Sequence, residues 1–390
     1  MIKVFKNPFF IYVISFLLVF TIYSLGWSNM YPRLSLTVIG FFISTFIISI
    51  SLGLLVDKTK AIEYNKLIFK SYKKPILFLI FIWLGHCIQF LYFDEVPFFS
   101  LINDEKGVDY RDFGIKTFHV ILVSFNSFVS VYFFHVYLSN KKKATLFLYL
   151  LSLIPSILIV NRGMFLIAVM SSFLVFLLSK KSFLSIKQIL ITSIIVLIVL
   201  YFFGAIGNLR SAHGDPTYIP RESEATKSFM KSSIPKEYYW TYLYGASPLA
   251  NFQYNINMTK NVNYNLFDLF LFETTPEVIS NRIALFFNRD KLDSIKIREW
   301  LTVGTVYSKS YCYAKWIGPI IIFIYTMFLL LTTMLLVPKK SSYHVTVIAI
   351  LSTLVFMNTF SNMLTFSGMI LQLFFPIFFR LFENKKFVIR

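Results

Sequence analysis

With 390 residues, 56% of them hydrophobic, 19% aromatic and only 15% charged, and a mean hydropathy of +0.66, the chain has too little polar surface for an ordinary soluble domain. Its formal charge of +19 sits largely in short Lys runs between apolar segments, where it reports topology and headgroup contact, so nucleic acid is excluded as a partner. The apolar stretches reach the length that crosses a hydrocarbon core of roughly 30 Å as a helix, and strand-like alternation is absent. The fold class is therefore an all-α polytopic membrane protein.

Ten spans are expected in chain order, near 8–26, 34–56, 75–93, 115–138, 144–160, 164–179, 186–206, 316–337, 343–361 and 365–382. The first lacks a small-residue cleavage site and reads as a span rather than a signal peptide. Basic residues gather on alternate connections. Lys3 and Lys6 precede span one, and Lys58, Lys60, Lys66, Lys70, Lys73 and Lys74 follow span two. Lys141, Lys142 and Lys143 follow span four, and Lys180, Lys181 and Lys187 follow span six. Lys339 and Lys340 follow span eight, and Lys385, Lys386 and Arg390 end the chain. Between spans three and four, Asp94, Glu95, Asp104, Glu105, Asp109 and Asp112 outnumber Lys106 and Arg111. The positive-inside rule then puts both termini in the cytoplasm. The chain divides into a membrane block (1–206), a large outward loop (207–315) and a second membrane block (316–390).

The outward loop is where ionisable groups are available for chemistry: Arg210, His213, Arg221, Glu222, Glu224, Glu273, Arg282, Arg289 and Arg298, punctuated by prolines at 216, 220, 235, 248 and 276. Its aromatic stretch 238–244 (YYWTYLY) suits an interfacial layer, as an anchor or as a surface for stacking sugars. Residues 266–287 suit a helix lying on or dipping into the membrane, and Arg282, Arg289 and Lys296 would share a face if that helix continued. Spans five and six are short, so the hairpin 159–164 (IVNRGM) sets Arg162 near the hydrocarbon edge. There it either snorkels to headgroups or binds an anion lining an outward cavity. His213 is the one histidine of the outward loop, and Glu273, His213 and Glu222 are candidate bases. Arginine forks onto phosphate oxygens, which suits a pyrophosphate-bearing ligand, although the ten acids of the loop are competing partners.

Cys87 and Cys312 show no metal or redox spacing. Walker A, HExxH, GxSxG and Asp-x-Asp motifs are absent, so no cofactor or metal is expected, and a reaction on a membrane-embedded substrate remains.

The layout resembles the Wzy-type O-antigen and capsular repeat-unit polymerases. The likeness rests on one large outer loop before the last three spans, the Asn161-Arg162-Gly163 hairpin, GNLRS at 207–211, YLYGASPLANF at 242–252 and the re-entry at 302–319. The chain departs from the family's acidic-Phe-Gly spelling there, having Ala314, Lys315, Trp316, Ile317 and Gly318. The resemblance implies a GT-C-like, lipid-donor glycosyltransferase of the bacterial cytoplasmic membrane. It would join undecaprenyl-pyrophosphate-linked repeat units for O-antigen or capsule, with a chain-length regulator as a further partner. In that reading Arg162, Arg210 and Arg298 stabilise the leaving pyrophosphate and His213 or Glu273 serves as base. Arg282, Arg289, Arg221, Tyr242, Tyr244 and Tyr307 contact substrate. An O-antigen ligase shares the layout. A flippase or other transporter would carry its charges inside the spans, and an acyltransferase of glycans is a further alternative.

Overall fold

The computed structural model describes residues 4–68, 71–102, 112–180, 185–212, 214–259 and 264–383. Lys3, Lys70, Asp104, Glu105, Lys106, Asp109, Arg111, Lys181, His213, Lys385, Lys386 and Arg390 lie outside them.

The described residues form helices and connections, with one isolated β-bridge between Ser28 and Ala225. The first block holds α1 (Pro8–Ser24), α2 (Leu36–Lys58), α3 (Lys73–Phe93), the short α4 (Pro97–Ile102), α5 (Phe118–Asn140), α6 (Lys143–Leu158), α7 (Arg162–Ser179) and α8 (Ile186–Ala212). The polar segment follows with α9 (Tyr218–Glu222), α10 (Lys227–Lys231), α11 (Tyr238–Met258), α12 (Leu266–Glu273), α13 (Glu277–Phe287) and α14 (Ser308–Ala314). The last block has α15 (Ile317–Leu336), α16 (His344–Met357), α17 (Ser367–Ile370), a 3-10 turn at Leu371–Leu373 and α18 (Phe374–Leu381). Six helices, α2, α3, α5, α7, α8 and α15, are long and apolar enough to cross a membrane. The shorter α1, α6, α16 and the run Ser367–Leu381 are apolar too.

The helix starts follow local capping chemistry. The Asn7 side chain accepts from Phe9 N at 3.1 Å with Pro8 in the first turn, and its amide also reaches Gly53 O at 2.9 Å, tying α1 to α2. Asn161 caps α7 by accepting from Met164 N at 3.1 Å. Inside the block α5 is the hub, packed on α3, α6, α7 and α16, with 78% of its most apolar window buried. The same share for α8 is 6%, so α8 stands at the periphery, held along its C-terminal half by α11.

Polar connections segregate to two ends. At one end Lys6 Nζ donates to Leu178 O (3.0 Å) and Lys180 O (2.6 Å), Lys339 pairs with Glu63 (3.7 Å), and Ser342 N donates to Glu383 (2.7 Å). At the other, Ser28 Oγ donates to Ser223 O (2.7 Å), Ser35 N to Gln253 (2.7 Å), Arg282 to the Thr117 hydroxyl, and Asn362 to Glu273 (2.9 Å). The first end gathers described parts of the Lys-rich connections, and the second gathers the polar segment with the intervening loops.

Four sequence expectations change. The seventh apolar helix continues to Ala212, well past 206. The tenth expected span contains a 3-10 turn at Leu371–Leu373, where Gln372 donates to Gly368 O (2.8 Å) and accepts from Ser127 (3.1 Å). The stretch 238–244 is no interfacial layer: it opens α11, a 21-residue helix packed on α1 and α8 with Tyr239, Trp240, Tyr242 and Leu243 buried. Residues 266–287 are two helices split at Pro276, and α13 stops where Asn288 turns left-handed (φ 49°), so Arg289 and Lys296 do not continue the face of Arg282.

Two glycines set close approaches. A Cβ on Gly204 would lie 2.0 Å from Glu237 O, where α8 meets the start of α11, and one on Gly318 would lie 2.0 Å from Ser310 O, where α15 meets α14. Gly318→Ala is expected to cost about 1–3 kcal/mol through the forced backbone shift. Gly40→Ala, with open space at that position, should stay within about 0.5 kcal/mol. Thermal unfolding in detergent checks both.

Candidate functional site

The helices α12, α13 and α14 share a small core of Leu269, Phe272, Ala284, Tyr313 and Ala314, with Ile283 and Ile321 against it. The Phe272 and Tyr313 rings stack with centroids 6.3 Å apart. This cap is docked on the loop between α16 and α17. Glu277 N donates to Thr365 O (2.9 Å) and Val278 N to Ser367 Oγ (2.9 Å). Asn362 Nδ2 donates to both Glu273 O (3.0 Å) and Glu273 Oε2 (2.9 Å). From α15, Tyr325 OH donates to Thr274 O at 3.2 Å.

That docking buries Glu273, which is 1% exposed. Burial pushes its carboxyl up to about 7, against the opposite pull of the Asn362 hydrogen bond and of Lys309 and Lys291. Neither lysine pairs with it. Lys309 stands 3.6 Å from Asp293 and Lys291 3.0 Å from Glu277. A carboxyl balanced at neutral pH takes up and releases a proton with little driving force either way, which is what a general base or acid requires.

Arg162 begins α7 and is exposed, and its side chain has no hydrogen bond or ion pair among the described residues. The first turn of α7 rests on the same loop: Met164 Sδ lies 2.7 Å from where a Cβ on Gly368 would stand, beside the Ser367 that holds α13. The hairpin and the cap therefore meet on residues 358–368.

The other expected cations are engaged. Arg298 pairs with Glu224 at 2.8 Å, Arg221 with Asp215 at 2.6 Å, and Arg289 lies 3.9 Å from Asp268 and over the Phe267 ring. Arg282 donates to the Thr117 hydroxyl. Asp215 is held below the usual carboxylate range, first by Thr217 and then by Arg221. Arg210 falls in the last turn of α8, its side chain outside the description along with His213. Glu222 ends α9, exposed to solvent.

The tyrosines divide. Tyr242 is 2% exposed, and its hydroxyl accepts from Ser28 N at 3.2 Å. Tyr307 is fully buried and shares a 2.7 Å hydrogen bond with Tyr12. Both are packing residues, closed to a sugar by the elements that cover them. Tyr244 is 38% exposed, stacked between Trp240 and Phe360, and lines a cleft with Trp300. Phe360 belongs to the loop that carries Asn362.

Sequence reasoning named Glu273 and Arg162 but missed what joins them. Asn362, Phe360, Thr365 and Ser367 occupy a short neutral connection, and only its side chains' partners mark it out. No family model, characterised protein or solved structure matches the chain.

The raised carboxyl has a consequence for stability. Its ordinary value is 4.5 and its folded value about 7, so the folded protein holds the extra proton in between. Stability falls as pH rises from 4.5 through about 7, by roughly 3 kcal/mol, and levels off above. Glu273→Gln keeps an acceptor for Asn362 and removes this loss. The variant should melt above the parent at pH 8 and match it near pH 5 in detergent-solubilised protein.

Proposed function

We propose that the chain is a glycosyltransferase of the cytoplasmic membrane that polymerises polyprenyl-pyrophosphate-linked oligosaccharide repeat units. It crosses the bilayer ten times with both termini in the cytoplasm, and residues 207–315 face outward. The alternation of basic connections supports this topology, and so does the gathering of those connections at one end.

One observation carries the reading. A buried carboxyl with a value near 7, Glu273, is fastened to the same loop against which the first turn of α7 packs, and Arg162 in that turn has no partner among the described residues. Glycosyl transfer from a lipid pyrophosphate needs these two groups. Glu273 takes the proton of the acceptor hydroxyl as its oxygen bonds to the anomeric carbon. The bond from that carbon to the pyrophosphate oxygen breaks, and the pyrophosphate leaves on its lipid with both electrons. Arg162 stabilises the negative charge that builds there, at a depth where water screens poorly. Arg298, Arg221 and Arg289 are bound to acids and serve the cap's structure instead. Trp300, half exposed in the cleft beside Tyr244, offers a ring face to a sugar.

Deleting the gene should leave single repeat units on the cell surface. Normal chain lengths would sink the proposal, and polymer stranded on its carrier would mark a ligase. In the deletion strain, Glu273→Gln and Arg162→Ala should insert normally yet restore no long chains, with at least a hundredfold loss of polymer. For the purified parent, polymerisation should rise as pH rises through about 7 and then plateau, because the base acts ionised. A flat profile from pH 6 to 8 would remove Glu273 from that role.

A further inference from the structure

A further cavity lies away from the cap. It is a groove of about 690 Å³ between α2 and α15, lined by Gly40, Ser44 and Ile48 on one wall and Trp316, Ile324 and Phe328 on the other. Tyr12 of α1 packs against Phe323 of the lining (5.7 Å) and against Phe46 (6.3 Å). The few hydroxyls on the wall are already used locally: Ser44 donates to Gly40 O (2.9 Å), Thr45 to Phe42 O (2.9 Å), and Thr37 shares a bond with Ser35 (2.9 Å). The surface offered is therefore hydrocarbon alone. A Cβ on Gly40 would meet nothing within 4 Å, so the space there is open. The lining runs from Thr37 to Ile48 and from Trp316 to Leu331, which is about 16–22 Å of helix, the depth of roughly one bilayer leaflet.

Both walls begin at the same end, since the Phe41 and Trp316 rings touch at 5.5 Å near the start of each helix. Two cations stand in the chain there: Arg33, three residues before α2, and Lys315, two before α15. Neither side chain has a hydrogen bond or ion pair among the described residues. From this mouth α14 leads back to the cap. Trp316 meets Tyr311 edge-on at 5.5 Å, and Tyr313 stacks on Phe272, the neighbour of Glu273.

We propose that this groove seats the hydrocarbon chain of one lipid-linked substrate, a polyprenyl diphosphate, with the diphosphate held between Arg33 and Lys315. The groove suits one chain, and two cations without a partner among the described residues suit a headgroup with more than one negative charge, where a phospholipid diester has two chains and a single phosphate charge. The inference rests on the proposed reaction for its choice of lipid. It assigns to the α2–α15 side a place for one of the two lipid-linked substrates that a polymerase joins, apart from Arg162 on α7.

The test is binding of undecaprenyl diphosphate to the full-length protein in phosphatidylcholine nanodiscs, with phosphatidylglycerol as competitor. Gly40→Trp fills the open space and should weaken binding at least tenfold. Ile195→Trp, on the lipid-facing side of α8, should leave binding unchanged. Arg33→Gln combined with Lys315→Gln leaves the groove intact and should weaken binding of the diphosphate at least tenfold while sparing undecaprenol. Parent-like affinity in both the Gly40→Trp and the double-glutamine protein overturns the site, as does phosphatidylglycerol competing on equal terms. No glycan or acceptor is present in this assay. Groove-dependent binding in a protein whose deletion leaves chain length untouched would refute the reaction and retain the site.

Discussion

The loop of residues 358–368 touches the cap, α11 and α7 at once. Asn362 grips Glu273, Thr365 and Ser367 hold the start of α13, Phe360 stacks on Tyr244, and Gly368 lets α7 press close. Asn358 O also accepts from Val306 N at 2.9 Å, ahead of α14. Most of these contacts are hydrogen bonds from backbone or amide groups that would otherwise be buried without partners, so each is expensive to break. The position of the cap, and with it the burial of Glu273, follows from them.

The same demand for satisfied polar groups shapes the apolar helices. Ser15, Ser130, Ser172 and Thr326 return their hydroxyls to the carbonyl four residues earlier, and so bring polar atoms into the block without desolvating a free donor. The Ser171–Thr353 contact at 2.8 Å links α7 to α16, and the Tyr12–Tyr307 bond links α1 to the approach to α14. Charges are treated differently: they are sorted to the two ends. Glu273 departs from that rule, since it is buried within the cap with a single side-chain donor and no paired cation among the described residues. Carboxyls raised by burial in this way cluster at functional sites.

Much of the fold was legible because hydropathy and Lys placement report on the bilayer, an environment that acts on every residue alike. The helices lie close to where the apolar runs put them, and the connections separate in space as the basic residues imply. What the sequence obscured depends on particular neighbours. YYWTYLY reads as interfacial by composition, yet Tyr239 and Tyr242 are interior because α11 finds α1 and α8 to pack against. The arginines were correctly suspected of pairing with the loop's acids, but only coordinates separate Arg298, engaged by Glu224, from Arg162, engaged by none of the described residues. Asn362 carries no signal of its own; an amide in a short neutral loop gains meaning only from the carboxyl it meets.

The attachment of α8 has a mechanical side. Its apolar stretch Ile186–Leu209 is 24 residues, about 36 Å long, more than the roughly 30 Å of a typical hydrocarbon core, and a helix of that length leans or thickens the lipid around it when it spans a bilayer. α11 grips it from Leu197 to Asn208, where Tyr238 OH donates to Leu197 O at 3.2 Å, Gly204 lets Glu237 approach and Asn208 accepts from Trp240 Nε1 at 2.7 Å. A rod held along one half and loaded along its free length acts as a lever. In a bilayer, thickness would bear on the first turns of α11, and through Trp240 and Tyr244 on the aromatic cleft beside the 358–368 loop, without touching a residue inside it.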